Sequence, residues 1–268
     1  MERACSHRSI CARGYHQIEL HQDSREITTF ITHDGVFRYK RLIYGISSAF
    51  EHFQKQVETV IAGCKGAVNI SDDIFIFGRT QEEHDEILGN VFARLNEAGL
   101  KLNPAKCTFI KNEILFSGFK LTPRGIYPDA SKVDAVQAFK TPESAKDVRS
   151  FLGLVNFCSK FIRNYSTISA PLRHLTKKHT TFVWNKEHEV AFNILKQKLA
   201  QAQCMAYYNP KAETKIIVDG SPYGLGAVLV QTQNDGSDCP VAYGSRSLSP
   251  TERRYSQTER EALAVLFG

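Results

Sequence analysis

The chain has 268 residues, 42% of them hydrophobic and 23% charged, with a net charge of +6. That size suggests about two folded domains, and the composition excludes a collagen-like, coiled-coil or wholly disordered chain. No stretch approaches the ~18 apolar residues of a membrane span. The N-terminus, MERACSHRSICARG, carries charge and cysteine where a secretory leader needs an apolar core. The seven cysteines are scattered and none forms a CxxC pair, which fits reduced thiols better than a disulfide frame or a zinc site. The expectation is an intracellular protein of the cytoplasm or nucleus, not secreted and without a membrane partner.

Residues 1–13 show no clear periodicity, and 15–20 alternate weakly. Residues 26–32 and 36–39 are β-rich and flank His33-Asp34-Gly35, a hairpin signal. Residues 47–62 read as a helix, with Phe53, Val57 and Ile61 at a spacing of four. Two short apolar strands follow at 67–70 and 74–77, with only Ser71-Asp72-Asp73 between them. Thr80-Gln81-Glu82-Glu83 is a capping box that opens a helix to about Asn96, ended by Gly99. Short strands are expected at 107–109, 114–116 and 119–121, and Pro123 with Gly125 marks a turn. Segments 130–139, 144–162, 167–176 and 186–201 read as helices. Strands at 214–218, 226–231 and 240–245 follow, and a last helix opens at the capping box Ser249-Pro250-Thr251-Glu252. The composition shift around 205–213, with Asn209-Pro210, is the best domain boundary.

Asp72-Asp73 is the sharpest chemical signal. Adjacent carboxylates beside Ile70, Ile74 and Phe77 repel each other and lose solvation, a cost that a hard cation offsets. Two such ions can clamp the attacking and leaving oxygens of a phosphoryl transfer. On spacing alone an ordinary Ser-Asp-Asp turn is the stronger alternative. From Val148 to Lys186 there are seven basic residues and no acid. A folded surface facing a polyanion and a solvated basic face both fit that tract. Asp219 ends an apolar strand, and Glu261 lies in the last helix near Glu259. A strand-end turn residue and an exposed helix glutamate are their plain readings.

The blocks GYHQIEL, FRYKRLIYGISSAFEHFQ, NISDDIFIFG, TQEEHDEILGNVFARLNEAGLKLNPAKC, VRSFLGLVNFCSKFI, VDGSPYGLGAVLVQ and AYGSRSLSPTERRYSQTEREALAV occur in this order. In this the chain resembles the reverse transcriptase of gypsy-type LTR retrotransposons, from about Gly14 to the last residue. The resemblance implies an α+β fold: a partial polymerase palm at 14–122, thumb and connection helices at 123–205, and a truncated ribonuclease H-like domain at 206–268, with 1–13 unmatched. It implies RNA-directed DNA polymerase and ribonuclease H chemistry with Mg²⁺, or Mn²⁺, held by Asp72 and Asp73 and by Asp219 and Glu261. It further implies that Tyr15 lies under the nucleotide sugar and that Tyr44 and Gly45 line the nucleotide. It also implies that Lys106 assists the leaving pyrophosphate and that Phe116, Gly118 and Phe119 grip the primer. Arg149, Lys160, Arg163, Arg173, Lys177 and Lys178 would meet the phosphates. The implied partners are an RNA–DNA hybrid or DNA duplex, dNTPs, and the missing parts of a Pol polyprotein.

The departures from that pattern matter as much. Ile10 stands where the family has its first palm aspartate, five residues before Tyr15. Ile70 replaces a tyrosine, and Phe50 a proline. The last two nuclease acids of the family have no counterpart here, so the chain is expected to be an internal segment or a decayed copy, with strand 214–219 left with an unpaired edge. A non-catalytic nucleic-acid-binding remnant is therefore the competing expectation.

Overall fold

The computed structural model describes residues 5–11, 14–233 and 235–268. The chain divides into two compact units, Met1–Ser117 and Gly118–Gly268. Both mix helix and strand.

In the first unit the strands are β1 (Cys5–Ile10), β2 (Thr29–Thr32), β3 (Gly35–Arg38), β4 (Ala67–Ile70), β5 (Asp73–Gly78), β6 (Thr108–Lys111) and β7 (Ile114–Phe116). The helices are α1 (Gln22–Arg25), α2 (Ala49–Ile61) and α3 (Gln81–Glu97). Four strands form one antiparallel sheet in the order β4-β5-β1-β6, and β2 and β3 form a separate hairpin. β1 lies within 1–13, where the sequence shows no period. It is a strand because both its edges are paired, Ser9 with Ile74 and Ile10 with Asp73 on one side, Arg8 with Thr108 on the other. Those are tertiary hydrogen bonds, which local propensity does not report.

The alternation in β5 sends Ile74 and Ile76 fully inside, while Phe77 stays 42% exposed. α2 covers that inner face with Ala49, Phe53, Val57 and Ile61, the four-residue stripe read from the sequence. α3 adds Val91 and Leu95, and Cys11 and Leu100 complete the core. Full burial of side chains this size contributes about 1.5–3 kcal/mol each. α3 starts where the capping box put it, with the Thr80 hydroxyl accepting from the Glu83 N–H, and ends at Gly99, whose φ of 69° suits a left-handed stop.

The second unit contains β8 (Phe119–Thr122), β9 (Gly125–Pro128), β10 (Thr214–Gly220), β11 (Gly224–Thr232) and β12 (Asp238–Ser247). Its helices are α4 (Ala130–Gln137), α5 (Ala145–Phe157), α6 (Tyr165–His174), α7 (Lys186–Ala200) and α8 (Gln257–Phe267). Pro123 and Gly125 do mark a turn, but the sequence reading missed the strand after it: β9 pairs with β8, Thr122 opposite Gly125. Helices α4 to α7 enclose the largest core, with Val136, Val148, Phe151, Val155, Leu172 and Leu195 all at 0% exposure.

The expected helix over 144–162 is broken. α5 stops at Phe157, a 3-10 turn spans Ser159–Phe161, and Asn164 takes a left-handed φ of 56° before α6 begins. The break lets Phe161, Ile162 and Tyr165 all enter the core, which one straight helix face could not do.

The three later strands form an antiparallel sheet in sequence order. α8 lies on it, burying Ala264 beside Leu225 and Leu248. The box at Ser249 forms both of its bonds, Ser249 N–H to Glu252 Oε2 at 2.7 Å and Glu252 N–H to Ser249 Oγ at 3.3 Å. Only a 3-10 turn, Glu252–Arg254, follows, because Tyr255 is extended (ψ 145°). α8 instead starts from a second box, Ser256 with Glu259. No helix among the described residues is long and apolar enough to cross a membrane.

Candidate functional site

The β4–β5 hairpin turns through Ser71 and Asp72, with Ser71 in the left-handed region at φ 55°. Asp72 sits in the turn and Asp73 opens β5; both are half-buried. A residue overlooked in the sequence holds this tip. Gln54 of α2 accepts the Ser71 N–H through Oε1 at 2.5 Å and donates from Nε2 to the Asn69 carbonyl at 3.1 Å. Its only sequence signal is its place beside the buried Phe53.

The neighbouring strand completes the surroundings. The register sets Ile10 directly opposite Asp73. Cys11 donates its backbone N–H to the Asp72 carbonyl at 2.9 Å. Burial, reinforced by the charges of Asp72 and Asp73 and by Cys107, pushes the Cys11 thiol up to about 12. It is therefore a neutral, soft group at physiological pH, not a ligand for a hard cation. The two carboxylates fit the oxygen preference of such an ion. Among the described residues, however, no third His, Cys, Asp or Glu joins them in a metal-holding cluster.

Tyr15, Tyr44 and Gly45 do come together. The Tyr15 ring meets Tyr44 at 5.1 Å between centroids and Phe53 at 5.6 Å. Phe53 fixes it from the core side, while Tyr44 stays 63% exposed. Gly45 follows with φ 91°, a conformation that suits glycine. Lys106 is exposed, at the end of a 3-10 turn capped by Asn103 and leading into β6.

The expected primer-grip residues fall on both sides of the division between the units. Phe116 is 7% exposed in the first, against Phe75 at 5.2 Å. Gly118 and Phe119 belong to the second. There Phe119 stacks on Phe157 at 5.0 Å and 8°, with the Lys160 ammonium 3.3 Å from its ring centroid.

The basic residues are not equivalent. Lys160 is half-buried on Phe119, and burial lowers its pKa. Arg173 donates to Ser247 Oγ at 2.9 Å and lies over the Tyr165 ring. Arg149, Arg163, Lys177 and Lys178 are exposed. These four are open to solvent, whereas Lys160 and Arg173 are engaged with aromatic rings of the fold.

Asp219 lies near the end of β10 and Glu261 in α8, and the helix backbone packs against Gly220, the residue after Asp219. A Cβ at Gly220 would lie 2.9 Å from the Arg260 carbonyl, so its absence lets α8 approach the strand end. Gln257 spans the gap, donating from Nε2 to the Gly220 carbonyl at 3.3 Å and to Glu261 Oε1 at 2.5 Å. In the same unit Arg246 holds Glu252 with two bonds of 2.9 Å. That pair lowers the Glu252 pKa to about 2.

An acid-tipped hairpin on an antiparallel sheet, followed along the chain by a three-stranded sheet with an acid near its strand end, is the arrangement expected of a polymerase-like palm and a nuclease-like domain. Residues 11–121 match the family model for reverse transcriptase (RNA-dependent DNA polymerase). Residues 184–268 match the RNase H-like domain found in reverse transcriptase. The chain is 36% identical over 254 residues to the retrovirus-related Pol polyprotein from transposon 412 of Drosophila melanogaster, covering 94% of this chain and 20% of that protein. It is 34% identical over 260 residues to the Pol polyprotein from transposon 297 of the same fly, covering 96% and 24%. The transposon Tf2-3 polyprotein of Schizosaccharomyces pombe is 32% identical over 255 residues, covering 94% and 19%.

Among solved structures, a foamy viral protease-reverse transcriptase in complex with double-stranded DNA superposes with a TM-score of 0.86 at 25% identity, covering 99% of this chain and 47% of that one. The same viral enzyme in complex with an RNA/DNA hybrid also gives a TM-score of 0.86, at 24% identity, covering 100% and 36%. The chain carries the reverse transcriptase and RNase H-like domains of a retrotransposon Pol polyprotein, and it spans about a fifth of the length of these curated relatives. Both domain families work with divalent metal ions.

Proposed function

We propose that this chain is the duplex-holding part of a gypsy-type reverse transcriptase, binding an RNA–DNA hybrid or DNA duplex, and impaired in DNA synthesis by Ile10. The observation that carries this reading is the register of Ile10 opposite Asp73, where the family resemblance calls for a third carboxylate. Asp72 and Asp73 would hold Mg²⁺ or Mn²⁺ in one domain, Asp219 and Glu261 in the other. When bound, the ions supply charge stabilisation for the phosphate under attack. The chain's own residues orient the reactants. Tyr15, packed on Phe53, sits under the dNTP sugar, Tyr44 and Gly45 line it, and Lys106 serves the leaving pyrophosphate. Phe116, Gly118 and Phe119 grip the primer end. With a ligand missing, an ion that tolerates poor octahedral geometry badly is under-held, and the positioning on which phosphoryl transfer depends fails.

The test is primer extension on a poly(rA) template with Mg²⁺ or Mn²⁺, beside an Asp72→Asn control. No extension is expected. Extension that disappears with Asp72→Asn would show that another group fills the missing place and would overturn the reading. Binding is tested separately through salt. Affinity for a hybrid should fall steeply with ionic strength, with a slope of roughly 0.9 per phosphate contact. Replacing Arg149, Arg163, Lys177 and Lys178 together should flatten that slope, whereas Lys160→Ala should act mainly on stability. A salt-independent affinity contradicts the proposal.

A second reading, a remnant that only binds nucleic acid, is also favoured by Ile10. The two part company if Ile10→Asp restores synthesis.

A further inference from the structure

Asp219 has a partner from outside the residues that match the RNase H-like family. Asn164 precedes α6 and adopts a left-handed φ of 56°, a region where asparagine is among the few tolerated side chains. It stands at the N-cap of α6 yet makes no capping bond with its side chain. Its Nδ2 instead donates to Asp219 Oδ2 at 2.8 Å. Gly226 in β11, the register partner of Asp219, leaves the space for this contact. A Cβ at Gly226 would overlap the Asn164 side-chain oxygen.

The rest of the α6 start is docked independently. The Ser166 N–H donates to Ser245 Oγ at 3.0 Å, and Thr167 Oγ1 shares a 2.8 Å hydrogen bond with Ser221 Oγ. Asn164 can therefore be changed without undocking the helix.

A neutral amide is suited to orienting an acid without neutralising it. It fixes one carboxylate oxygen through a hydrogen bond, keeps the negative charge, and leaves the second oxygen available. Outer groups that orient metal-bound side chains in this way are worth 10- to 100-fold in affinity. We infer that Asn164 is a positioning residue for Asp219, holding Oδ2 so that Oδ1 is the oxygen offered to a divalent cation, and that the nuclease-like site is therefore completed by a residue before 184. The inference rests on the reading of Asp219 as a metal ligand.

The test measures Mn²⁺ binding by electron paramagnetic resonance titration of the 268-residue chain, with Asp72→Asn and Asp73→Asn present so that the first acid pair is silent. Asp219→Asn is the reference. If it leaves Mn²⁺ binding unchanged, the ligand reading itself falls and the inference goes with it. If Asp219→Asn abolishes binding, Asn164→Gly, which keeps the left-handed backbone and removes the amide, should weaken Mn²⁺ by about tenfold. Its thermal midpoint should stay within a few degrees of the parent. Gly226→Ala should weaken Mn²⁺ similarly by evicting the amide, and should add nothing further once Asn164→Gly is present. That suppression is a signature a purely structural asparagine would not give. Unchanged Mn²⁺ affinity in Asn164→Gly, or an effect of Gly226→Ala that is the same with and without the Asn164 amide, would overturn the inference while leaving Asp219 as a ligand.

Discussion

The two pairs of acids singled out in the sequence are presented in opposite ways. Asp72 and Asp73 are neighbours in sequence, presented by one hairpin turn and clamped by Gln54 from a single helix. Asp219 and Glu261 come from a strand end and a helix; Gly220 lets α8 close in on the strand, and Gln257 ties Glu261 to the Gly220 carbonyl. The first pair is local, and among the described residues no third carboxylate joins it; the second draws on distant supports. A local pair is visible in a sequence but is vulnerable at the one place its neighbour strand must supply. A pair drawn from two elements shows its acids in the sequence but not the residues that support them, and it spreads its dependence over many residues.

The sharpest way to break that contrast is Ile10→Asp. If the first pair fails only for want of a carboxylate opposite Asp73, primer extension should rise from undetectable by on the order of 10²-fold or more. Assaying it beside Ile10→Asn separates charge from polarity, and equal activity in the two would contradict the argument.

Next in size is the core beneath the first pair. Phe53 is fully buried and backs Tyr15, so Phe53→Ala should cost about 3–5 kcal/mol of stability. Urea unfolding followed by circular dichroism would read it, and a loss under 1 kcal/mol would mean that α2 is not what supports the hairpin.

Gln54→Ala should cost less, about 1–3 kcal/mol, by leaving the Ser71 N–H without its partner. Faster amide exchange at Ser71 and Asp72 would check it. The same change at Gln257 should loosen Glu261 with a smaller loss, because that bond is exposed to water.

The smallest effect is a pH dependence at the Arg246–Glu252 ion pair. Glu252 has its pKa depressed to about 2 from an ordinary 4.5 by hydrogen bonds to Arg246 and Ser249. A carboxylate with a depressed folded-state pKa stabilises fully above its unfolded value and loses that contribution as pH falls toward the folded one. Glu252→Gln should therefore lower the thermal midpoint at pH 6, with the difference from the parent shrinking between pH 4.5 and 2. A difference that is the same at pH 6 and pH 3 would rule out the ion pair as its source.

Much of the molecule was legible in advance where the signal is local. The α2 stripe, the Asp72-Asp73 hairpin, the cap of α3 and the three late strands all follow from spacing, caps and turn residues within one element. What escaped was set at long range. β1 is a strand through its pairing on both sides, and β9 through its pairing with β8. The 144–162 segment breaks because three apolar residues must share one core. The last helix starts late because Tyr255 leaves the helical path after the first box. Gln54 and Asn164 are ordinary polar residues until the carboxyl-bearing segments they contact are in place.

The sequence by itself determined the domain order, the family and the acids available, because blocks of side chains with fixed spacing survive in the chain. It also determined that Ile10 is not an acid. Only the tertiary structure decided that Ile10 lies across from Asp73, that Lys160 is engaged with an aromatic ring, and that Asn164 reaches Asp219. Those facts depend on strand register and on helices docking across long stretches of chain, where the hydrogen bonds and buried surface that fix the geometry are made between segments that carry no mark of each other.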